Sequence, residues 1–269
     1  METVAVRDGR LTVNTRGSGE ALLLVHGALV ADSYGPMLAA GDLDDYQVIT
    51  YSRRGFQGSS PVQPGHTIGD EAADAFAVLD HLGISASHVV GHSYGGAVVL
   101  QMALEAPERV RSLGLFEPAL LSVPAAAAFG AGVAPAAERF EAADHPGALM
   151  AFLTLVGGEN PMERLTALPA EATAQAVADI ATLFTGDLPA VSSWSLDDND
   201  AKTIDQPALT VLGTESADLF QQSIVKLESL LPNTESFSLR GASHFLQMEK
   251  PAEVAAALQR FLSRHPTNQ

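Results

Sequence analysis

Residues 89–96, Val-Val-Gly-His-Ser-Tyr-Gly-Gly, constrain this chain more than any other stretch. Within them, Gly91-His92-Ser93-Tyr94-Gly95 is a Gly-x-Ser-x-Gly pattern, in which a serine rides a tight strand-to-helix turn and its hydroxyl projects from the sheet. The glycines have a steric reason. Such a turn presses positions 91 and 95 against neighbouring backbone, where a Cβ would clash. The flanks fit as well: His88-Val89-Val90 ends a short apolar strand, and Ala97-Val98-Val99-Leu100-Gln101-Met102-Ala103-Leu104 continues as an apolar helix.

The rest of the chain alternates in the same way. Strand-like runs fall near 3–7, 10–16, 21–26, 46–51, 87–91, 111–116, 207–212 and 235–239, with helical patterns near 67–82, 95–106, 217–231 and 251–264. Asp8-Gly9 between the first two runs signals a hairpin. The later alternation implies right-handed crossovers and a mostly parallel sheet with helices on both faces, an α/β fold of eight strands. Between 119 and 205 the strand pattern stops. That stretch is rich in Ala, Leu and Phe and broken by Pro124, Pro135, Pro146, Pro161, Pro169 and Pro189. A structureless loop of that length is improbable in a compact protein, so a helical insertion is expected there.

Composition narrows the classes of function. A chain of 269 residues with 46% hydrophobic content can bury one substantial core. Its formal charge of −17 argues against nucleic acid or an anionic membrane as partner, since both reward clustered Lys and Arg. With no cysteine, a disulfide framework, a thiolate nucleophile and Cys-ligated zinc are excluded. No basic segment followed by a long apolar run opens the chain, so a soluble, cytoplasmic protein is the expectation. Other chemistries lack their motifs. There is no His-Glu-x-x-His for zinc; Lys202, Lys226 and Lys250 lie outside any Gly-x-x-x-x-Gly-Lys-Ser/Thr loop; and the glycine spacing around Ser93 is wrong for a dinucleotide. No cofactor and no metal are expected.

Four further segments follow in one order: Leu22-Leu23-Leu24-Val25-His26-Gly27-Ala28, Thr50 to Ser60 with its Gly-x-Gly-Ser turn, Ala106-Pro107-Glu108-Arg109-Val110, and Gly241-Ala242-Ser243-His244-Phe245. Together with the serine turn they resemble the α/β-hydrolase superfamily along nearly the whole chain. The resemblance implies a core from 1–118 and 206–269, with 119–205 inserted after strand six as a helical cap. It also implies a nucleophile, Ser93, activated by a histidine and a carboxylate in the chain order Ser, acid, His. Of eight histidines, only His244 sits in a glycine-flanked loop between a terminal strand and a terminal helix. His92 is too close along the backbone to fold onto Ser93 and is read as structural; His26 organises the loop it precedes. His66, His81, His88, His145 and His265 are read as surface or packing residues. The oxyanion hole implied by the family uses the backbone N–H groups of Ala28 and Tyr94.

The acid departs from the commonest family pattern, an Asp shortly after strand seven. Here that turn reads Gly213-Thr214-Glu215-Ser216-Ala217-Asp218, which offers Glu215 and, further along at a helix start, Asp218. Glu117, at the end of the sixth strand, is the strongest candidate, because a carboxylate ending an apolar strand is costly unless paired. Haloalkane dehalogenases and zearalenone-type lactonases carry their acid at this position. The Thr214-Glu215-Ser216 turn and the chain length are also similar to those lactonases. The resemblance thus implies a cofactor-independent serine hydrolase acting on a small apolar ester or lactone. The Ala-, Leu- and Phe-rich composition of the cap suggests an apolar pocket, with Trp194, Phe152, Met162, Phe184 and Leu155 as candidate lining residues. A carbon–carbon bond hydrolase or lyase on the same triad, and a ligand receptor with a vestigial triad, stay open. Oligomeric state is not legible.

Overall fold

The apolar runs form eight strands: β1 (Glu2–Val6), β2 (Gly9–Arg16), β3 (Glu20–Val25), β4 (Tyr46–Ser52), β5 (Ser87–His92), β6 (Val110–Phe116), β7 (Ala208–Gly213) and β8 (Thr234–Leu239). The structure is a computed structural model that describes residues 1–266. Strand order in the single sheet is β1-β2-β4-β3-β5-β6-β7-β8. β1 and β2 form the expected hairpin, Asp8 taking a φ of 57° in its turn, and β2 also runs antiparallel to β4. Every pairing from β4 through β8 is parallel.

Parallel strands covered on both faces read as continuous apolar runs, and β5 is buried along its whole length. Alternate side chains separate the two halves of the core. Leu23, Val25, Val89 and Leu113 pack with Val78 and Val98 from the helices Ile68–His81 and Tyr94–Glu105. Leu22, Leu24, Val90 and Phe116 face the other way, onto Met37 and onto Val254 and Leu258 of the helix Pro251–Leu262. The helix Ile68–His81 starts on a capping box, Thr67 receiving the Asp70 N–H while the Asp70 carboxylate receives that of Thr67.

From 117 to 207 there are no strands and the chain is mainly helical. Ala126–Glu141, His145–Gly157 and Ala170–Ala178 are followed by a π turn at Leu183–Asp187 and by Leu188–Ser193. Pro146 and Pro161 mark helix starts, sitting in first turns where the missing N–H costs nothing, while Pro189 follows the π turn inside a continuous helical run. Pro135 departs from expectation, lying inside Ala126–Glu141. Two short helices, Gly35–Ala39 and Leu246–Glu249, had no sequence signal because one turn is too short to show a period. Among the described residues, no helix is long and apolar enough to cross a membrane.

Candidate active site

β5 ends at His92 and a helix starts at Tyr94, leaving Ser93 alone on the turn with φ 54° and ψ −116°. That conformation costs a non-glycine residue about 1–3 kcal/mol, so its surroundings must enforce it. They do. The Ser93 N–H donates to the Phe116 carbonyl at 2.9 Å, and the Ser93 carbonyl accepts from Gly96 and from Ala119. A Cβ on Gly91 would strike the Gly95 carbonyl, and one on Gly95 the carbonyls of Val25 and His26. The elbow therefore packs against the loop that follows β3.

Glu117 follows directly on β6, fully buried, and also holds a positive φ, of 48°. Its Oε1 accepts from the Gly213 N–H at 2.7 Å and from the Ser216 hydroxyl at 2.6 Å; its Oε2 lies 2.6 Å from Nδ1 of His244. Neither alternative acid reaches the imidazole this way. Glu215 turns outward to an ion pair with Arg164 at 2.9 Å, and Asp218 opens the helix Asp218–Leu230. The structure thus brings together Glu117 and His244, residues 127 apart in the chain.

Burial sets the electrostatics of this pair. It raises the Glu117 carboxyl to about 7, against the pull of the Ser216 and Gly213 donors. It lowers the His244 imidazole to about 3. The Nδ1 proton goes to the carboxylate, which leaves Nε2 with a free lone pair, the form a general base requires. The Phe220 ring stacks on His244, with centroids 3.5 Å apart and planes 10° from parallel. His92 contributes as a strut: its Nε2 faces the His244 carbonyl at 2.9 Å and so carries the proton. Burial and the neighbouring His244 hold His92 down at about 3, uncharged.

Ser93, Ala28 and Tyr94 line one cavity of about 210 Å³. A smaller cavity beside it is lined by Ser93, His92 and His244, so the serine and the imidazole open onto a common space. The larger cavity is walled by Phe129, Val133, Phe152, Val156, Leu183 and Val191, with Asp187 the one carboxylate among its lining residues. Of the pocket residues expected from the sequence, Phe152 is on this wall. The other four are elsewhere. Leu155 faces an outer groove with Pro135 and Arg139; it lies one turn along the helix from Phe152, at the edge of the face that Phe152 and Val156 turn to the cavity. Met162 is exposed, Phe184 stacks on Phe140 at 4.5 Å, and Trp194 spends its indole N–H on Gln101 at 2.8 Å. His26 is buried and bonded into its loop, while His66, His81, His88, His145 and His265 line neither cavity.

One buried group had not been anticipated. Arg53, just after β4, is fully buried and pairs with Glu71 at 2.8 Å and Asp187 at 2.9 Å. Its one sequence signal was a pair of arginines directly following the apolar run of β4.

The family model for the alpha/beta hydrolase fold matches residues 20–251. The chain belongs to that family. A dihydrolipoyllysine-residue acetyltransferase component of the acetoin cleaving system from Cupriavidus necator is 35% identical over 113 residues, 38% of this chain and 27% of the relative. The chain thus spans well under two thirds of the first curated relatives it matches. A 2-hydroxymuconate semialdehyde hydrolase of Pseudomonas putida aligns along more of the length, at 26% identity over 94% of this chain and 91% of that one. Among solved structures, a thermophilic esterase from Thermogutta terrifontis superposes with a TM-score of 0.83 at 20% identity, covering 98% and 99% of the two chains. At that identity the likeness shows the fold alone.

Proposed function

We propose that this protein is a cofactor-independent serine hydrolase that cleaves an apolar carboxylic ester or lactone through an acyl-enzyme. Ser93 is the nucleophile, His244 its base and Glu117 the carboxylate that fixes the imidazole. The Ala28 and Tyr94 N–H groups form the oxyanion hole. Residues 119–205 serve as the cap over the acyl pocket.

The chemistry follows from the groups assembled. His244 takes the Ser93 proton as the hydroxyl attacks the acyl carbon, and the imidazolium that forms is stabilised by Glu117. The developing alkoxide meets Tyr94 N–H at the start of a helix, where backbone donors lack intrahelical partners and the dipole favours negative charge. Collapse expels the alcohol, which takes its proton from His244. Water then repeats the sequence to release the acid. For a lactone, both products remain one molecule.

The observation that carries the substrate class is the cavity wall. Its lining residues include no Lys, Arg or His, and Asp187 is the one carboxylate among them. Such a wall favours a neutral acyl group and disfavours a substrate that brings its own carboxylate, since none of its lining residues is a cation that could pair with a buried anion. The full-length relative named for a semialdehyde hydrolase supports a second reading, carbon–carbon bond cleavage on the same three residues. A panel of p-nitrophenyl esters, neutral lactones and anionic vinylogous diketones separates the two. Turnover of the neutral compounds exceeding that of the diketone acids by at least about 10²-fold in kcat/KM is expected. The reverse order would overturn the ester reading, and turnover of none of them would favour a receptor.

A further inference from the structure

Arg53 extends the site in a way the triad does not require. All five of its guanidinium N–H groups have acceptors. Nε donates to the His26 carbonyl at 3.2 Å; Nη1 donates to Glu71 at 2.8 Å and to Asp187 at 3.0 Å; Nη2 donates to Asp187 at 2.9 Å and to the Gly27 carbonyl at 3.2 Å. The face of the cation lies 4.1 Å from the Tyr94 ring centre. The Gly27 carbonyl also receives His26 Nδ1 at 2.7 Å. That nitrogen carries the proton, because Nε2 of the same ring accepts the Arg53 backbone N–H at 3.0 Å.

The Gly27 carbonyl and the Ala28 N–H are the two ends of one planar trans peptide, so whatever fixes the oxygen fixes the direction of the N–H. Two donors on that oxygen hold the plane against rotation. They also draw electron density along the amide, which strengthens its N–H as a donor by roughly 10–30% per bond. A fully buried cation with two carboxylates is a poor choice for stability alone, since apolar residues of similar size usually serve as well. Its placement against two successive carbonyls of this loop calls for a local reason.

We propose that Arg53 is a positioning residue for the oxyanion hole: it clamps the Gly27–Ala28 peptide with its N–H turned to the reacting carbonyl, and Asp187 of the helical segment holds the clamp. The proposal rests on the reading of Ala28 as an oxyanion donor. Asp187 closes the π turn Leu183–Asp187, and neighbouring contacts seat that turn on the same loop: Thr182 donates its hydroxyl to the Gly55 carbonyl at 2.9 Å. The clamp therefore joins three parts of the chain, the loop after β3, the loop after β4 and the pocket wall.

Arg53→Lys tests it, because a lysine keeps the charge but has three donors on a point ammonium and cannot fill five directions. With folding checked by circular dichroism and thermal melting, kcat on p-nitrophenyl butyrate should fall by about 10–10²-fold with KM within about threefold. That is the pattern of a donor that matters only in the transition state. Amide NMR reads the peptide directly. Labelling with carbonyl-13C glycine and 15N alanine selects only the five Gly–Ala amides at 28, 97, 131, 148 and 242. In the wild type, the Ala28 proton should move downfield when an alkyl trifluoromethyl ketone forms its oxyanion adduct on Ser93. In Arg53→Lys it should sit upfield before the ketone is added, and ketone affinity should fall in step with kcat/KM. An Ala28 proton that ignores the ketone in the wild type defeats the oxyanion reading and this proposal together. A proton that responds to the ketone, in an enzyme whose Arg53→Lys variant keeps both its shift and its kcat, defeats the clamp alone. Should Arg53→Lys not fold, Asp187→Asn is judged by the same two readouts, with a fall in kcat of about tenfold expected.

Discussion

Replacing Glu117 by Gln keeps the shape of the side chain and removes its charge, and the surrounding donors dictate what happens next. The carboxylate accepts from a backbone N–H (Gly213, 2.7 Å), a hydroxyl (Ser216, 2.6 Å) and the imidazole Nδ1 (2.6 Å). A Gln can accept through its oxygen alone. The Ser216 hydroxyl can rotate, but the Gly213 N–H cannot, so the amide oxygen stays on Gly213 and the NH₂ group turns to His244. Facing a donor, Nδ1 must give up its proton to Nε2, which places a hydrogen where Ser93 has to deliver its own. The equivalent change in a well-studied serine protease costs about 10⁴ in kcat, or roughly 5.5 kcal/mol, and the same loss is expected here. Glu215→Gln disturbs only a half-exposed ion pair with Arg164 worth under about 1 kcal/mol, and Asp218→Asn only a helix start worth about 0.3–1 kcal/mol. Each should cost less than about tenfold in kcat. The assay is steady-state hydrolysis of p-nitrophenyl butyrate by purified variants of verified fold. If Glu117→Gln keeps a tenth of wild-type kcat, or Glu215→Gln proves the crippling change, the tautomer argument is wrong.

Ser93→Ala should lower kcat by several orders of magnitude without loss of fold, and an alkyl phosphonate should add its mass at Ser93; near-normal turnover in the variant rules the serine mechanism out. For pH, the active pair is the unprotonated one, so kcat/KM should fall as pH drops through the raised value of about 7 that burial gives Glu117. In Glu117→Gln only the imidazole is left to titrate, and burial lowers it, so the residual activity should hold to more acid pH; a limb that stays in place contradicts this. Val133→Trp narrows the 210 Å³ cavity and should cut kcat/KM for octanoyl esters at least about tenfold, with acetyl esters changed less than about threefold; equal losses on both would remove the cavity from the acyl site.

The fold was legible because its constraints are local. Eight apolar runs separated by helical periods leave few ways to cover a parallel sheet, and all eight strands stand within a residue or two of the runs that announced them. The serine turn was legible for steric reasons, since Gly91 and Gly95 have backbone carbonyls where a Cβ would go. The pocket wall was not legible. The helix Ala126–Glu141 is rich in Ala, which is indifferent to burial, and the helix His145–Gly157 is apolar nearly all round, so neither shows the stripe that would reveal its phase. Phe152 and Leu155 are three residues apart on one helix, and only contacts from other parts of the chain decide which of them faces the serine. Arg53 and Asp187 are 134 residues apart, beyond the reach of any pattern along the chain.

The position of the carboxylate has a geometric explanation. β6 and β7 are parallel neighbours with Phe116 opposite Val211, so the residue after β6 and the turn after β7 open onto the same space beside His244. A carboxylate from either strand end could orient the imidazole, but whichever strand supplies it, the other must satisfy its remaining lone pairs, since a buried anion short of donors would simply take up a proton. In this chain the β7 turn has been converted to that second task. Gly213 presents its N–H and has no room for a side chain, a Cβ there meeting the Ala242 carbonyl, while Ser216 adds a hydroxyl from one turn further on. Glu215, freed from the site, points outward to Arg164. The Gly-Thr-Glu-Ser sequence after β7 is thus the donor half of a carboxylate site whose acceptor half stands on β6, and the two halves are intelligible only together.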